Sequence, residues 1–254
     1  KSTNGGAAWT PVNTGLVLGE IRSIAIDPSN TQTVYAGITG FGVYKSTNGG
    51  GQWTLASEGI TNKTIVDVVL DPSTPQTLYA AAYGSDVGVY KSTDGGANWA
   101  PASSDVFGPN IVYALVLDPS DPQTIYAGSA GSVLYKSTDG GATWSWFNMG
   151  DGIAKDLSFY AIAIHPSAPQ TLYAGTTAGV IKSTDGGANW VGSSTLITAA
   201  SVWDLAADPL APQTLYAATR GSGVFKSTDG GIRWTPINAG LTGSSFYDLT
   251  MDPS

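Results

Sequence analysis

The nonapeptide "KSTDGGANW" occupies residues 91–99 and recurs letter for letter at residues 182–190. The chain contains six copies of this segment, two exact and four close, and each begins with Lys-Ser-Thr. They start 44 to 46 residues apart, at Lys1, Lys45, Lys91, Lys136, Lys182 and Lys226. A fixed period of this length is the signature of a chain built from one repeated supersecondary unit. The nonapeptide is therefore interpreted as a part of the scaffold and not as a site.

Two further markers keep the same period. Thr-(Val, Leu or Ile)-Tyr-Ala occurs five times, and an apolar run ends in a turn like Asp-Pro-Ser six times, in "IAIDPS" (24–29), "VVLDPS" (68–73), "LVLDPS" (115–120), "IAIHPS" (162–167), "LAADPL" (205–210) and "LTMDPS" (249–254). Each period thus predicts four short strands. Four-stranded units of about 40–50 residues are typical of β-propeller blades. The sequence predicts an all-β propeller, with a β-solenoid of usually shorter coils as the alternative.

Composition agrees with this fold class and excludes several partners. The 254 residues are 42% hydrophobic, and their 33 glycines and 14 prolines favour strands and tight turns over helices. A net charge of -8 leaves no basic stripe for nucleic acid or an anionic membrane. No apolar run reaches the length of a membrane span, so no membrane insertion is predicted. The absence of cysteine excludes disulfides and thiolate metal sites.

The repeated nonapeptide contains the pattern Ser-x-Asp-x-Gly-x-x-Trp. It has Asp94, Asp139, Asp185 and Asp229 in four copies, and Asn4 and Asn48 in the two copies where Asn replaces Asp. This pattern, called the box below, resembles the Asp-box or BNR repeat of bacterial β-propellers. Those propellers are related in fold to sialidases, family 74 xyloglucanases, sortilin-type receptors and photosystem II assembly factors. The resemblance implies that each box is the hairpin between the third and fourth strands of a blade.

The chemistry of the box suits a structural role. Asp or Asn accepts backbone N–H bonds in a turn, Gly supplies positive φ, and Trp packs into the seam between blades. Asn in two boxes is unsuitable for a general acid or a metal carboxylate. Calcium is the functional alternative, but each box offers one carboxylate where a calcium loop brings several oxygens. No metal and no cofactor are predicted. The lysine that begins each copy is interpreted as a solvated strand end.

The markers predict one propeller domain over residues 1–254, with five complete blades and parts of a sixth. Residues 1–12 would supply the end of a third strand and a fourth strand, and "SFYDLTMDPS" (245–254) a first strand. A six-bladed ring with one incomplete blade is expected, and an excerpt from a longer array is the alternative. The open strand edges of that blade would pair with a continuing chain, which is favoured, or with a hairpin from a neighbouring chain.

Variable segments between the second and third strands indicate the surface where a ligand would bind. They read "GITGFG" (37–42), "AAYGSDVG" (81–88), "GSAGS" (128–132), "GTTAG" (175–179) and "ATRGSG" (218–223). These segments and the crossovers between blades form the predicted variable face. The six first strands can be aligned on the Asp or His of the turn that ends them. The residues five and four positions before it are then predicted to form two rings of side chains at this face. The predicted ligand-binding residues are Arg22, Asp67, Tyr113, Tyr160, Trp203, Asp204, Tyr247 and Asp248.

Aromatic rings and carboxylates around a pore would suit sugar stacking and hydrogen bonding to hydroxyls. The alternative is that the aromatics plug the channel or pack between blades. The expected function is a non-catalytic, exported binding or scaffold module, at the cell surface or outside the cell, with the periplasm as an alternative. Its partner would be a protein or a glycan, bound on the variable face.

A glycoside hydrolase-like enzyme is the alternative function. A pair of aspartates drawn from Asp67 and Asp204, or Asp248, could perform inverting hydrolysis. A sialidase needs three arginines that grip the carboxylate of its substrate. The chain has three arginines in all, and Arg233 lies inside a box, so this triad cannot be assembled. His165 is the single histidine, which excludes multi-histidine metal sites. It replaces the Asp of an Asp-Pro-Ser turn and is interpreted as a variant of that turn, not as the histidine of a Ser-His-Asp triad.

Overall fold

A computed structural model describes residues 1–4, 6–84, 88–102, 106–108, 111–148, 157–193, 197 and 200–251. The described residues form twenty strands in five four-stranded antiparallel sheets and no helix. The expectation of an all-β propeller built from four-stranded blades is confirmed, and the five sheets match the five complete blades. Because the described part contains no helix, it contains none that could span a membrane.

The chain divides into two compact units, Lys1–Ile111 and Val112–Ser254, and each is described by itself. The first unit holds two blades, formed by β1 (Ile21–Ile26), β2 (Val34–Ile38), β3 (Gly42–Ser46) and β4 (Thr54–Leu55), and by β5 (Ile65–Leu70), β6 (Leu78–Ala82), β7 (Val89–Ser92) and β8 (Ala100–Pro101).

The second unit holds three blades. They are formed by β9 (Val112–Asp118), β10 (Asp121–Ser129), β11 (Val133–Ser137) and β12 (Ser145–Asn148), by β13 (Phe159–Ile164), β14 (Leu172–Thr176), β15 (Gly179–Ser183) and β16 (Val191–Gly192), and by β17 (Val202–Ala207), β18 (Leu215–Thr219), β19 (Gly223–Ser227) and β20 (Thr235–Pro236). In every blade the strands pair in chain order, as a meander.

The second strand of the first blade, β2, is buried and packs against the first strand of the second blade, β5. Gly37 in β2 shows how closely two blades approach, since a Cβ there would lie 2.8 Å from Ile65 Cγ2 and 3.2 Å from Val68 Cγ2 of β5. Such distances are too short for a side chain, so glycine is required for this contact. The seam between the two blades of the first unit is therefore filled by first-strand side chains packed against a bare backbone.

Each first strand contains a β-bulge, which the sequence analysis missed. In β17 the register shifts between Val202 and Asp204, so Trp203 has no partner across the ladder. The same shift occurs in the first strand of every blade. The positions that the ladder of Cα partners skips are Arg22, Val66, Tyr113, Tyr160 and Trp203. A bulge breaks the alternation of side chains between the two faces of a sheet. Consistently, Val202 and Leu205 are three residues apart and lie in one buried cluster.

All six boxes have one hydrogen-bond pattern. In the box at 92–99, the Ser92 hydroxyl donates to Asp94 Oδ1 over 2.8 Å, and Asp94 Oδ1 accepts the Asn98 N–H over 2.8 Å. Asn48 makes the corresponding bonds to Ser46 and Gln52, at 2.9 and 2.8 Å. A side-chain carbonyl therefore replaces the carboxylate without loss of either bond. The six box residues are Asn4, Asn48, Asp94, Asp139, Asp185 and Asp229.

The box tryptophans reach the preceding segment of chain. Trp99 is buried, and its indole N–H donates to the carbonyl of Ala56 over 2.9 Å, in the preceding blade. Trp53 donates in the same way to Val12 over 2.8 Å. Trp99 also packs in one cluster with Tyr35 and Val43 of the preceding blade. Each of these tryptophans therefore joins its own hairpin to the seam.

The expectation that the repeated lysines are solvated strand ends is wrong for the five that lie over tyrosine rings, Lys45, Lys91, Lys136, Lys182 and Lys226. Lys45 Nζ donates to the carbonyl of Gly95 over 2.8 Å, and it lies 5.3 Å from the centroid of the Tyr35 ring. Lys182 makes the corresponding bond to Gly230 over 3.1 Å and lies over the Tyr173 ring. Each of these lysines therefore connects one blade to the box of the next.

The segments predicted as strands at the two ends of the chain do not form regular strands. Lys1 and Thr10 exchange two backbone bonds of 2.7 and 2.9 Å, but no strand follows. Residues 241–251 also contain no strand, and residues 252–254 lie outside the described residues. A strand needs a partner along its ladder, and no second strand pairs with residues 246–251 in the part of the chain that the structure describes.

Candidate functional site

Four aromatic side chains form a continuous row in the second unit. Tyr113, Tyr160 and Trp203 lie on the bulges of β9, β13 and β17, and Tyr247 holds the same register in the segment 246–251. Ring centroids are 5.1 Å apart between Tyr113 and Tyr160, 4.5 Å between Tyr160 and Trp203, and 5.3 Å between Trp203 and Tyr247. The structure therefore brings together all four predicted aromatics. They are called the aromatic row below.

The rings of the aromatic row pack against each other. Tyr160 and Trp203 are parallel within 2°, whereas Tyr113 and Tyr247 meet the row edge to face, at 64° and 79°. Stacked and edge-to-face pairs at these separations are mutually stabilising. A ligand cannot enter between Tyr160 and Trp203 without breaking their stack. The ring surface open to a ligand lies at Tyr247, which is 57% exposed.

Asp204, half-buried beside Trp203, holds the segment 246–251 on the last blade. Its Oδ2 accepts the Leu249 N–H over 2.6 Å, and its Oδ1 accepts the Leu205 N–H over 2.8 Å. Phe246 N–H also donates to the Thr219 carbonyl over 3.0 Å. Asp204 thus has a positioning role that the sequence analysis did not foresee.

The two carboxyls at this end of the row affect each other. The pKa of the Asp204 carboxyl is raised to about 8, first because burial removes water from the carboxylate, and also because the negative charge of Asp248 lies beside it. The N–H groups of Leu249 and Leu205 act in the opposite direction. Asp204 is therefore largely protonated at neutral pH, whereas Asp248 is exposed to solvent.

The remaining predicted site residues, Arg22 and Asp67, lie in the first unit. Arg22 Nε forms a surface salt bridge of 3.2 Å with Glu20. Asp67 Oδ1 accepts the Ser23 hydroxyl over 3.0 Å, and Ser23 Oγ accepts the Val68 N–H over 3.1 Å. Ser23 and Asp204 have the same register. Ser23 accepts an N–H from β5, the first strand of the following blade, and Asp204 accepts one from the segment 246–251. This register position has a structural role in both units.

Two other sequence features have local roles. Asn62, in the glycosylation triplet Asn-Lys-Thr, donates its amide to the Tyr83 carbonyl over 2.8 Å and accepts the Thr64 N–H. His165 Nδ1 accepts the Ser167 N–H over 3.3 Å. In the corresponding turn of the first blade, Asp27 accepts the Ser29 N–H over 2.8 Å. The described residues contain no group of three or more His, Cys, Asp or Glu side chains suited to a metal. Part of one variable segment, 85–87, and the crossover residues 149–156 lie outside the described residues.

No family model matches the sequence, and no curated protein matches it. Solved structures do match. An ancestral GH74 enzyme aligns with a TM-score of 0.76 and 22% identity, over 93% of this chain and 33% of that one. A structure of YCF48 bound to D1 peptide aligns with a TM-score of 0.68 and 18% identity, over 92% and 72% of the two chains.

A third match is the extracellular domain of a putative hybrid two component system from B. thetaiotaomicron. Its TM-score is 0.63 and its identity 16%, over 82% of this chain and 27% of that one. The chain thus spans about a third of the GH74 enzyme and 27% of the chain with the extracellular domain. At these identities the similarity concerns the fold alone. The matching structures include an enzyme and a peptide-bound protein, so they are compatible with both predicted functions. The matches and the five antiparallel sheets together assign the chain a β-propeller fold.

Proposed function

We propose that this chain is a non-catalytic binding or scaffold propeller of the Asp-box type, which contacts a protein or glycan partner through its variable face. The observation that carries this proposal is the aromatic row, which ends at an exposed tyrosine beside a pair of carboxyls. Bulges place side chains outside the ladder and are frequent next to functional sites. The row is therefore the part of the second unit best suited to recognition.

The rest of the repeat is engaged in holding the blades. The carboxylate of each Asp box accepts bonds within its own hairpin, and those bonds keep the pKa of Asp94 at about 2. Lys45 and Lys182 connect neighbouring blades. The Asp94 carboxylate has neither the freedom nor the protonation state that a general acid at neutral pH needs.

A glycoside hydrolase-like activity is the second candidate, and Asp204 is the observation that favours it. A half-buried carboxyl with a raised pKa is suited to act as a general acid. Both of its oxygens, however, already accept backbone N–H groups, from Leu205 and Leu249, and these bonds hold the segment 246–251 in place. Binding without turnover is therefore preferred.

The proposal includes an exported location, outside the cell or at its surface. One of the matching structures is an extracellular domain, which supports this location. The net charge of -8 supports a protein or glycan partner over nucleic acid or an anionic membrane. We further propose that no cofactor is required.

A panel of polysaccharides and peptides separates the two candidates. The protein is incubated with each compound, and both retention on the immobilised compound and released reducing sugar are measured. The proposal expects retention that Tyr247→Ala weakens, without release of sugar. Release that Asp204→Ala or Asp67→Ala abolishes would establish the hydrolase instead. Trp9→Ala, an exposed aromatic residue in a box of the first unit and outside the variable segments, is the control.

A further inference from the structure

The first strand of the first blade has an apolar face that is exposed to solvent. Ile21, Ile24 and Ile26 in β1 are 44%, 60% and 54% exposed. The residues at the register positions of Ile21 and Ile24 in the other four blades are at most 8% exposed. They are Ile65 and Val68, Val112 and Leu115, Phe159 and Ile162, and Val202 and Leu205. The three isoleucines of β1, called the open face below, thus expose to water what the other blades bury.

The seam inside the first unit shows what covers such a face. Ile65 and Val68 pack in one buried cluster with Tyr35 of β2 and Val43 of β3. β2 and β3 form a hairpin, and Gly37 of β2 lies so close to Ile65 that a Cβ would come within 2.8 Å of its Cγ2. A hairpin whose first strand carries Tyr-x-Gly therefore fits against a first strand of this repeat.

The same close approach occurs in the second unit. A Cβ at Gly128 would lie 2.7 Å from Phe159 Cβ, and one at Gly175 would lie 2.8 Å from Val202 Cγ1. Each of these glycines follows a tyrosine by two residues, as in the first blade. Three seams thus use one complementary pair, in which a glycine backbone lies against a bulky side chain of a first strand. The chemistry of an occupant of the open face can be inferred from this pair.

A free strand edge lies against the same blade. Thr10 and Lys1 exchange two backbone bonds, of 2.7 and 2.9 Å, and the Val12 carbonyl accepts the Trp53 indole N–H over 2.8 Å. Between these contacts, Pro11 has no cross-strand partner in the part of the chain that the structure describes. Prolines at the corresponding position of two other blades pair with a third strand, Pro101 with Tyr90 and Pro236 with Phe225. A strand can therefore be added at Pro11 by β-augmentation.

We propose that the open face binds a β-hairpin of a separate polypeptide, whose first strand carries Tyr-x-Gly and covers Ile21 and Ile24. The second strand of the hairpin would pair with the edge at Pro11. The contacting side of the hairpin is apolar, because burial of the three isoleucines is favourable only against an apolar surface. This surface consists of other residues than the aromatic row, so the inference goes beyond the proposed function.

A second folded copy of the chain is a less suitable occupant. Its strands β2, β10 and β14 carry the required Tyr-x-Gly, and they already pack against the first strands of the next blades, β5, β13 and β17. Placing one of them on the open face of another copy would break an existing seam. A separate hairpin has no such seam to lose.

The test is a calorimetric titration of the whole chain with a synthetic peptide of residues 30–46, "NTQTVYAGITGFGVYKS". The matched control peptide carries Gly37→Val, which keeps charge and length but adds a side chain where the seam has no room. We expect the first peptide to bind with a negative heat-capacity change, which is the sign of apolar burial. The control peptide should bind at least about tenfold more weakly. The backbone N–H signal of Ile24 in NMR spectra reports whether the open face is the site.

Two variants of the protein test the surface. Ile24→Asp should reduce the affinity at least about tenfold, because covering the face would then bury an unpaired charge. Val191→Asp, at a 63% exposed aliphatic residue of β16, adds the same charge and should leave the affinity unchanged. Both side chains are exposed, so neither change disturbs a buried cluster.

Three results would overturn the inference. They are the absence of binding, equal affinity of the two peptides, and equal affinity of the unaltered protein and Ile24→Asp. Self-association of the protein that Ile24→Asp abolishes, without binding of the peptide, would also overturn it and would assign the open face to a second copy. Sedimentation of the protein at several concentrations measures this self-association.

Discussion

Lys45 Nζ lies 2.8 Å from the carbonyl oxygen of Gly95, so a lysine in the first blade holds the box of the second. The hydroxyl of Tyr35, whose ring lies under the same ammonium group, donates to that carbonyl over 3.0 Å. One carbonyl thus accepts bonds from two side chains that lie about 50–60 residues earlier in the chain.

Removal of this lysine should loosen the seam. We expect Lys45→Met to lower the free energy of unfolding by about 1–2 kcal/mol, because it removes a charge-assisted bond and a contact with the Tyr35 ring. Urea unfolding measures the change. Lys1→Met is the control, since Lys1 Nζ is exposed and lies 3.5 Å from Gly49 O. An equal loss in both variants would mean that Lys45 contributes no more than a surface charge.

Acid should weaken the boxes over a defined range. The pKa of Asp94 and of Asp139 is lowered from 3.8 to about 2, first by a side-chain hydrogen bond, from Asn98 and Thr143 respectively. The folded pKa lies below the unfolded one, so the stabilisation is present above pH 4 and is lost as pH falls towards 2. We expect the double variant Asp94→Asn, Asp139→Asn to show a shallower fall of melting temperature between pH 4 and pH 2. Identical curves would show that these carboxylates titrate alike in both states.

Restoring the repeat at position 165 should stabilise the second unit. Asp27 accepts the Ser29 N–H and hydroxyl over 2.8 and 2.7 Å, whereas His165 accepts those of Ser167 over 3.3 and 3.5 Å. We expect His165→Asp to raise the free energy of unfolding by about 0.5–1 kcal/mol. In the background Ser167→Ala the gain should shrink, which a double-mutant cycle measures. A loss would indicate that the contact of His165 with Gln213 matters more.

A methyl group at Gly37 should separate two blades. Its Cβ would lie 2.8 Å from Ile65 Cγ2, so we expect Gly37→Ala to cost about 1–3 kcal/mol through overpacking, as measured by thermal unfolding. Gly192→Ala is the matched control, because a Cβ there has no atom within 4 Å in the structure. A cost confined to Gly192→Ala would contradict the proposed packing of the seam.

The repeat markers were sufficient to predict the blades, because strand order follows from regularly spaced turns. The bulge was missed although the sequence contains its signal. Val202 and Leu205 are apolar three residues apart, whereas a regular strand would place apolar residues at spacings of two. The same spacing occurs at Ile65 and Val68 and predicts the break in alternation.

The contacts of the site depend on distances between different repeats, which one sequence does not contain. The bond from Lys45 to Gly95 spans 50 residues, and the one from Leu249 to Asp204 spans 45. Reading each lysine within its own repeat leaves it without a partner. The members of the aromatic row could be predicted because they share one position in the aligned first strands. The stack of Tyr160 on Trp203 could not, because it depends on the distance between β13 and β17.

The bulge also affects how a chain of this kind can diversify. Each duplication of the repeat adds one side chain that has no partner across the ladder, together with a copy of the lysines and boxes that hold the blade. A substitution at that residue changes the surface without disturbing a cross-strand pair. Positions 22, 66, 113, 160 and 203 already hold a cation, an aliphatic residue and three aromatics on one backbone design. New specificities can thus arise by single substitutions that leave the ladder of each blade intact.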